Sequence, residues 1–129
     1  NKPILLDFTG WACANCRRVE ENTWSETKVY DMINNEFILI SLYVDDRSDL
    51  NQDQIIILRD KNGNEKTLKK VGEKWSAFQT INFKNNSQPY YVLLSPNLDV
   101  LNKPIQYTDT KTYQSWLSEG LDNFNKNYK

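Results

Sequence analysis

Three short apolar runs punctuate the chain, at residues 3–8 (PILLDF), 36–46 (EFILISLYVDD) and 88–95 (QPYYVLLS). Uninterrupted runs of this length predict buried strands, and the second is apolar enough to be central in a sheet. Between the first two, the spacing changes to that of helices. Gly10 breaks the first run, and residues 14–22 predict a helix in which Val19 follows Cys16 by three positions while Arg17, Arg18 and Glu21 face water. A break is expected near residues 23–25. A second helix then starts with Ser25 as N-cap and carries Val29, Met32 and Ile33 on one side. Strand, helix and strand make a right-handed β-α-β unit.

The second half is less regular. Residues 47–54 (RSDLNQDQ) read as a polar loop, and residues 55–69 as an extra β-hairpin turning at Asn62-Gly63. The hairpin reads as a solvated excursion beside the main sheet, the alternative being a partner-docking arm. A short helix with Trp75 and Phe78 follows, then the strand headed by Pro89. A turn at Pro96-Asn97 leads to a fourth short strand ending near Lys103. A closing amphipathic helix over residues 108–124 aligns Tyr113, Trp116, Leu117, Leu121 and Phe124, and residues 125–129 are expected to fray. The predicted fold class is α/β, with a mixed four-stranded sheet flanked by helices in one domain spanning residues 1–129.

Composition narrows the function. The 129 residues carry 39% hydrophobic and 26% charged side chains with a net charge of -1, which gives no electrostatic footing for nucleic acid. No run is long enough to span a membrane, so the domain itself is not expected to insert. The chain opens directly into a strand without Met, which reads as a domain excised from a longer protein.

There is no histidine, so Ser-His and Cys-His nucleophilic pairs are impossible. A zinc site would have two thiolates and then only carboxylates, so no metal is expected. Cys13 and Cys16 are the chain's two cysteines. A disulfide between them closes too small a loop to staple the fold effectively. A C-x-x-C beside a β-α-β pattern is instead a redox signature. Cys13 falls at the helix start, where unpaired N–H groups and the helix dipole favour a thiolate, and Cys16 lies one turn later. Cys13 is therefore the expected nucleophile and Cys16 the resolving thiol. Asp7 interrupts an apolar strand, where a buried charge is costly and a raised pKa is expected. The alternative is an Asp on the outer face of an edge strand. Glu20 shares a helix face with Cys13 and Cys16, or is a solvated surface acid.

The element order, the C-x-x-C after the first strand and the Pro opening the third together resemble the thioredoxin fold, over essentially the whole chain. The wording DFTGWACANCRRVEENTW, with SLYVDDR and KWSAFQTINFKNNSQPYYVLLSP downstream, is similar to the C-terminal thioredoxin-like domain of DsbD-type transmembrane thiol:disulfide interchange proteins in their Bacteroidetes-like form. The extra strand and helix that many thioredoxins place in front are missing.

This resemblance implies that Asp7 exchanges protons with Cys16 and that Glu20 works with Asp7, the two acids together restraining thiolate formation at Cys13. It also implies that Pro89 is a cis-proline facing the cysteines. Gln88 would then offer backbone hydrogen bonds to an extended substrate. Trp11 is a candidate for the rim around Cys13, or for the core. Ala14-Asn15 stands between the cysteines where thioredoxin has Gly-Pro, so thioredoxin's redox poise does not carry over.

The implied function is a thiol:disulfide oxidoreductase domain with no cofactor beyond the Cys13–Cys16 redox disulfide. It would be monomeric, tethered on the periplasmic side of the inner membrane. Electrons would pass from a membrane-embedded domain to protein disulfide substrates, including an N-terminal domain of the same or a companion protein. A variant serves cytochrome c maturation. The alternative is a redox-silent peptide-binding module.

Overall fold

The structure, a computed structural model, describes residues 1–128. Strand β1 (Ile4–Thr9) lies at the centre of a three-stranded sheet of order β2-β1-β5, formed with β2 (Ile38–Tyr43) and β5 (Tyr90–Leu94). β1 pairs parallel with β2 and antiparallel with β5, so Asp7 stands in register with Ser41 on one side and Tyr91 on the other. Between β1 and β2 run α1 (Ala14–Asn22) and α2 (Thr27–Glu36). A separate hairpin, β3 (Ile56–Arg59) and β4 (Glu65–Leu68), precedes α3 (Val71–Phe83), and α4 (Thr110–Tyr128) closes the chain.

The period-two alternation of β1 and β5 divides the core in two. Leu5, Tyr91 and Leu93 pack with Val19, Val29, Tyr113, Trp116, Leu117 and Phe124, beneath α1, α2 and α4. Leu6, Phe8, Tyr90, Val92 and Leu94 pack on the opposite face with Trp75 and Phe83 of α3. Helices thus cover both faces of the mixed sheet, and the upper part of the first face is left to Asp7 and Thr9.

Several expectations change. β2 lies at the edge of the sheet, not its centre, and Ile38, Leu39 and Ile40 are exposed. β2 is more apolar than β1, but β1 is the strand that pairs on both sides. The fourth strand is reduced to two bridges against β5, Leu94–Val100 and Tyr91–Ile105, with Leu101 N–H donating to Leu93 O at 2.9 Å. Between the two bridges the register slips by two residues, where Pro104 has no N–H to donate and the Lys103 carbonyl accepts from Trp116 Nε1 instead of from β5. Glu26, not Ser25, is the N-cap of α2, and it makes no side-chain cap bond. The Ser25 hydroxyl instead donates back to the Glu21 carbonyl.

The end of the chain does not fray as far as Tyr128. α4 continues there, with Tyr128 stacked on Phe124 and its hydroxyl donating to Asp99 Oδ2 at 3.0 Å. Lys129, also expected to fray, lies outside the described residues. The hairpin forms where predicted. Gly63 takes φ 81° at its tip, and the Asp60 carboxylate accepts from the backbone N–H of Asn62 and Asn64.

Candidate functional site

The polypeptide leaves β1 at Thr9, turns at Gly10 and enters α1 at Cys13. Cys13 is the N-cap, with extended φ/ψ, and its sulfur accepts a hydrogen bond from Cys16 N–H at 3.2 Å. A sulfur in this position receives the unpaired N–H groups and the positive end of the helix dipole. Cys13 and Cys16 are joined by a disulfide with Cα atoms 5.2 Å apart. Cys13 is half-buried and Cys16 is 1% exposed, so an incoming nucleophile reaches Cys13 first.

The turn before Cys13 is held by a residue that sequence reasoning missed. Asp45, two residues beyond β2, accepts the Trp11 N–H on Oδ1 at 3.0 Å and the Ala12 N–H on Oδ2 at 3.2 Å. A Cβ on residue 10 would approach this carboxylate to 3.2 Å, which accounts for glycine there. Trp11 is 63% exposed and therefore not core. Its ring stacks on Tyr43 with centroids 3.9 Å apart. An open cleft of about 550 Å3 runs from Cys13 past Arg18 and Asp45 to Gln88.

Asp7 lies below, on the sheet face covered by α1, and is 2% exposed. Burial pushes its pKa up to about 7. The Ser41 hydroxyl, donating to Oδ2 at 2.9 Å, pulls it down, Glu20 raises it and Arg17 lowers it. The outward-facing alternative for Asp7 is thereby excluded. Glu20 is one-third exposed and bound to Arg17, whose Nη2 donates to Glu20 Oε2 at 2.8 Å. Arg17 does not face water as its sequence position predicts. The same Nη2 donates to the buried Thr9 Oγ1 at 3.0 Å, and the buried Nε has no partner among the described residues. Glu20 therefore acts electrostatically on Asp7, but a guanidinium that sequence reasoning missed offsets part of that effect.

The Gln88–Pro89 bond is cis and Pro89 is buried. The Gln88 side chain turns inward, its Nε2 donating to Gln79 Oε1 at 2.8 Å and to Asn86 O at 3.2 Å. Its backbone N–H and C=O have no intrachain hydrogen-bond partner among the described residues. The structure thus brings Cys13 and Gln88 to one cleft that Trp11 does not line, with Cys16 buried and bonded to Cys13, Glu20 on the helix that carries Cys16, and Asp7 beneath that helix.

No protein-family model and no curated protein sequence matches the chain. Solved structures do. A thioredoxin-fold protein from Helicobacter pylori superposes with a TM-score of 0.66 at 20% identity, covering 99% of this chain and 74% of that one. A DsbH oxidoreductase gives 0.62 at 14% identity, covering 94% and 73%. The reduced DsbD C-terminal domain of Neisseria meningitidis gives 0.56 at 11% identity, covering 93% and 82%. The fold is that of thioredoxin. At these identities the likeness carries the fold alone, and the chemistry has to be argued from the residues in the cleft.

Of the groups sequence reasoning missed, Ser41 was the most accessible. It is a small polar residue inside an apolar strand, in register with the one buried acid. Asp45 carried only a weak signal, as one of two acids ending a strand. Gln79 carried none, because a glutamine in a short helix reads as surface.

Proposed function

We propose that this domain is a thiol:disulfide oxidoreductase working in the reductive direction. The observation that carries the reading is the half-exposed Cys13 sulfur at a helix N-cap, disulfide-bonded to a buried Cys16 and open to a cleft that ends at Gln88. In the dithiol form, the Cys13 thiolate attacks one sulfur of a substrate disulfide, and one substrate thiolate leaves. Cys16 then loses its proton and attacks the Cys13 sulfur. The second substrate thiolate leaves and the Cys13–Cys16 disulfide returns. Two electrons and two protons pass to the substrate. Asp7, protonated up to about pH 7, is suited to take up the Cys16 proton once it has lost its own. The chemistry needs no cofactor beyond the dithiol.

We place the domain on the periplasmic side of the inner membrane, as one part of a longer tethered protein. A membrane-embedded domain would re-reduce it, and its substrates would be protein disulfides, among them an N-terminal domain of the same or a companion protein. The DsbD-like wording of the sequence supports this finer reading, and the DsbD and DsbH structural neighbours are consistent with it.

Mass spectrometry tests the redox function. Dithiothreitol followed by oxidised glutathione should move two hydrogens reversibly, confined to peptides containing Cys13 and Cys16. A pair that reduces but never re-forms would leave only a peptide-binding module.

A further inference from the structure

Gln79 is a fully buried amide outside the cysteine machinery, at 0% exposure. It projects from the middle of α3, and both ends of its amide are used. Nε2 donates to Asn85 Oδ1 at 3.1 Å and to Ser87 O at 2.8 Å, and Oε1 accepts from Gln88 Nε2 at 2.8 Å. Asn85 Oδ1 also accepts from the Ser87 N–H and the Ser87 hydroxyl, both at 2.9 Å. Ser87 Oγ lies 3.1 Å from Gln106 Oε1. A buried amide with every one of these bonds made is rigid, whereas one left half-satisfied is costly. The network spans residues 84–88, a segment with no regular secondary structure that ends at the Gln88 side of the cleft.

We infer that Gln79 is a positioning residue for substrate selection. Through Asn85, Ser87 and the Gln88 side chain it fixes the backbone of Gln88, so that its unpartnered N–H and C=O stand ready to pair with an extended segment of a protein substrate. The inference rests on the proposed oxidoreductase activity and names its substrate class, an extended polypeptide flanking the target disulfide. Pairing of this kind draws its affinity from main-chain hydrogen bonds, and a pre-ordered edge avoids the entropy cost of forming one on binding. A small disulfide with no peptide backbone gains nothing from it.

The test compares two substrates of the reduced 129-residue chain. One is a short extended peptide whose single cysteine is held as a mixed disulfide with 5-thio-2-nitrobenzoate. The other is the symmetrical dithiobis(nitrobenzoate) itself, and both release the same chromophore. In Gln79→Met the ratio of peptide rate to small-disulfide rate should fall by about tenfold, the equivalent of one or two net hydrogen bonds. The fall should come from a higher half-saturating peptide concentration, not a lower limiting rate. Asn85→Ala should reproduce the fall, which covers the case of a Gln79→Met protein that does not fold. Asn85→Asp, which keeps the accepting oxygen, should restore the wild-type ratio. An unchanged ratio in Asn85→Ala, or a loss shared equally by both substrates, overturns the assignment. Failure of the wild-type protein to react with either substrate overturns instead the activity on which it rests.

Discussion

An aspartate in an unfolded chain titrates near pH 4, whereas Asp7, enclosed by β1, β2, β5 and α1, holds its proton to about pH 7. The groups facing it are Ser41 from β2, Tyr91 from β5, and Arg17 and Glu20 from α1, with Tyr113 of α4 beyond. Between those two pH values the folded protein keeps a proton that the unfolded chain has released. Stability must therefore fall as pH rises through that window and level off above it, by on the order of 4 kcal/mol. Urea midpoints of the oxidised protein across this range should show the slope, and Asp7→Asn should remove it. Ser41→Ala should extend the slope above pH 7, because its hydrogen bond favours the ionised form. A slope identical in Asp7→Asn would mean that another group carries it.

The cysteines give a second expectation at this scale. Cys13→Ala should abolish exchange, and Cys16→Ala should accumulate mixed disulfides visible on non-reducing gels, because no thiol remains to resolve the bond formed at Cys13. Normal turnover by Cys16→Ala would overturn these roles, and mixed disulfides trapped in Cys13→Ala instead would reverse them. Asp7 was legible in the sequence because a charge inside ILLDF has no inexpensive place. Arg17 was not, because nothing in RRVE tells which arginine folds back over the helix.

At the level of elements, the approach of α3 to the end of β2 decides where the cleft wall stands. Gly72 donates its N–H to Asp46 O at 2.9 Å. An added Cβ would lie 2.5 Å from Val44 O and 2.7 Å from Asp46 N. Both are backbone atoms and cannot rotate aside. Overpacking of this kind costs about 1–3 kcal/mol, more than the roughly 1 kcal/mol that alanine gains over glycine in a helix. Gly72→Ala should therefore lower the urea midpoint without changing the slope of the transition. A variant as stable as the parent would mean that the α3 start can slide. The collision brackets Asp45, so the same shift should loosen the clamp on Trp11 and Ala12.

Element order and type were readable from periodicity, since β1, β5 and α4 bury the residues that their spacing selects. Strand position was not. FILISLY is more apolar than ILLDFT, yet it forms the edge, and only pairing on two sides separates the centre from the edge. Nor does the sequence show that the Lys103 carbonyl turns to Trp116 and interrupts a full fourth strand.

Across the whole molecule, stability is unevenly distributed. The main sheet is enclosed by helices on both faces, whereas β3 and β4 pair only with each other. Leu68 is buried, but Ile57 is 59% exposed. Clefts of about 360 and about 230 Å3 separate the hairpin from α3, lined in part by Leu58, Leu68, Ala77 and Ile81. An isolated two-stranded hairpin is marginal in water, and segments with few buried apolar contacts open at low free energy. Amide hydrogen exchange should therefore reach the cross-strand amides of residues 56–68 well before those of β1 and β5. The hairpin amides should exchange through local opening that is insensitive to low urea, while the β1 and β5 amides should follow global unfolding. Equal protection would make the hairpin an integral part of the core. It would also transmit strain to α3, and so to Gln79 and the loop that reaches the cleft. Unequal protection leaves α3 anchored by Trp75 and Phe83 against the sheet, so the cleft stays ordered while the hairpin opens.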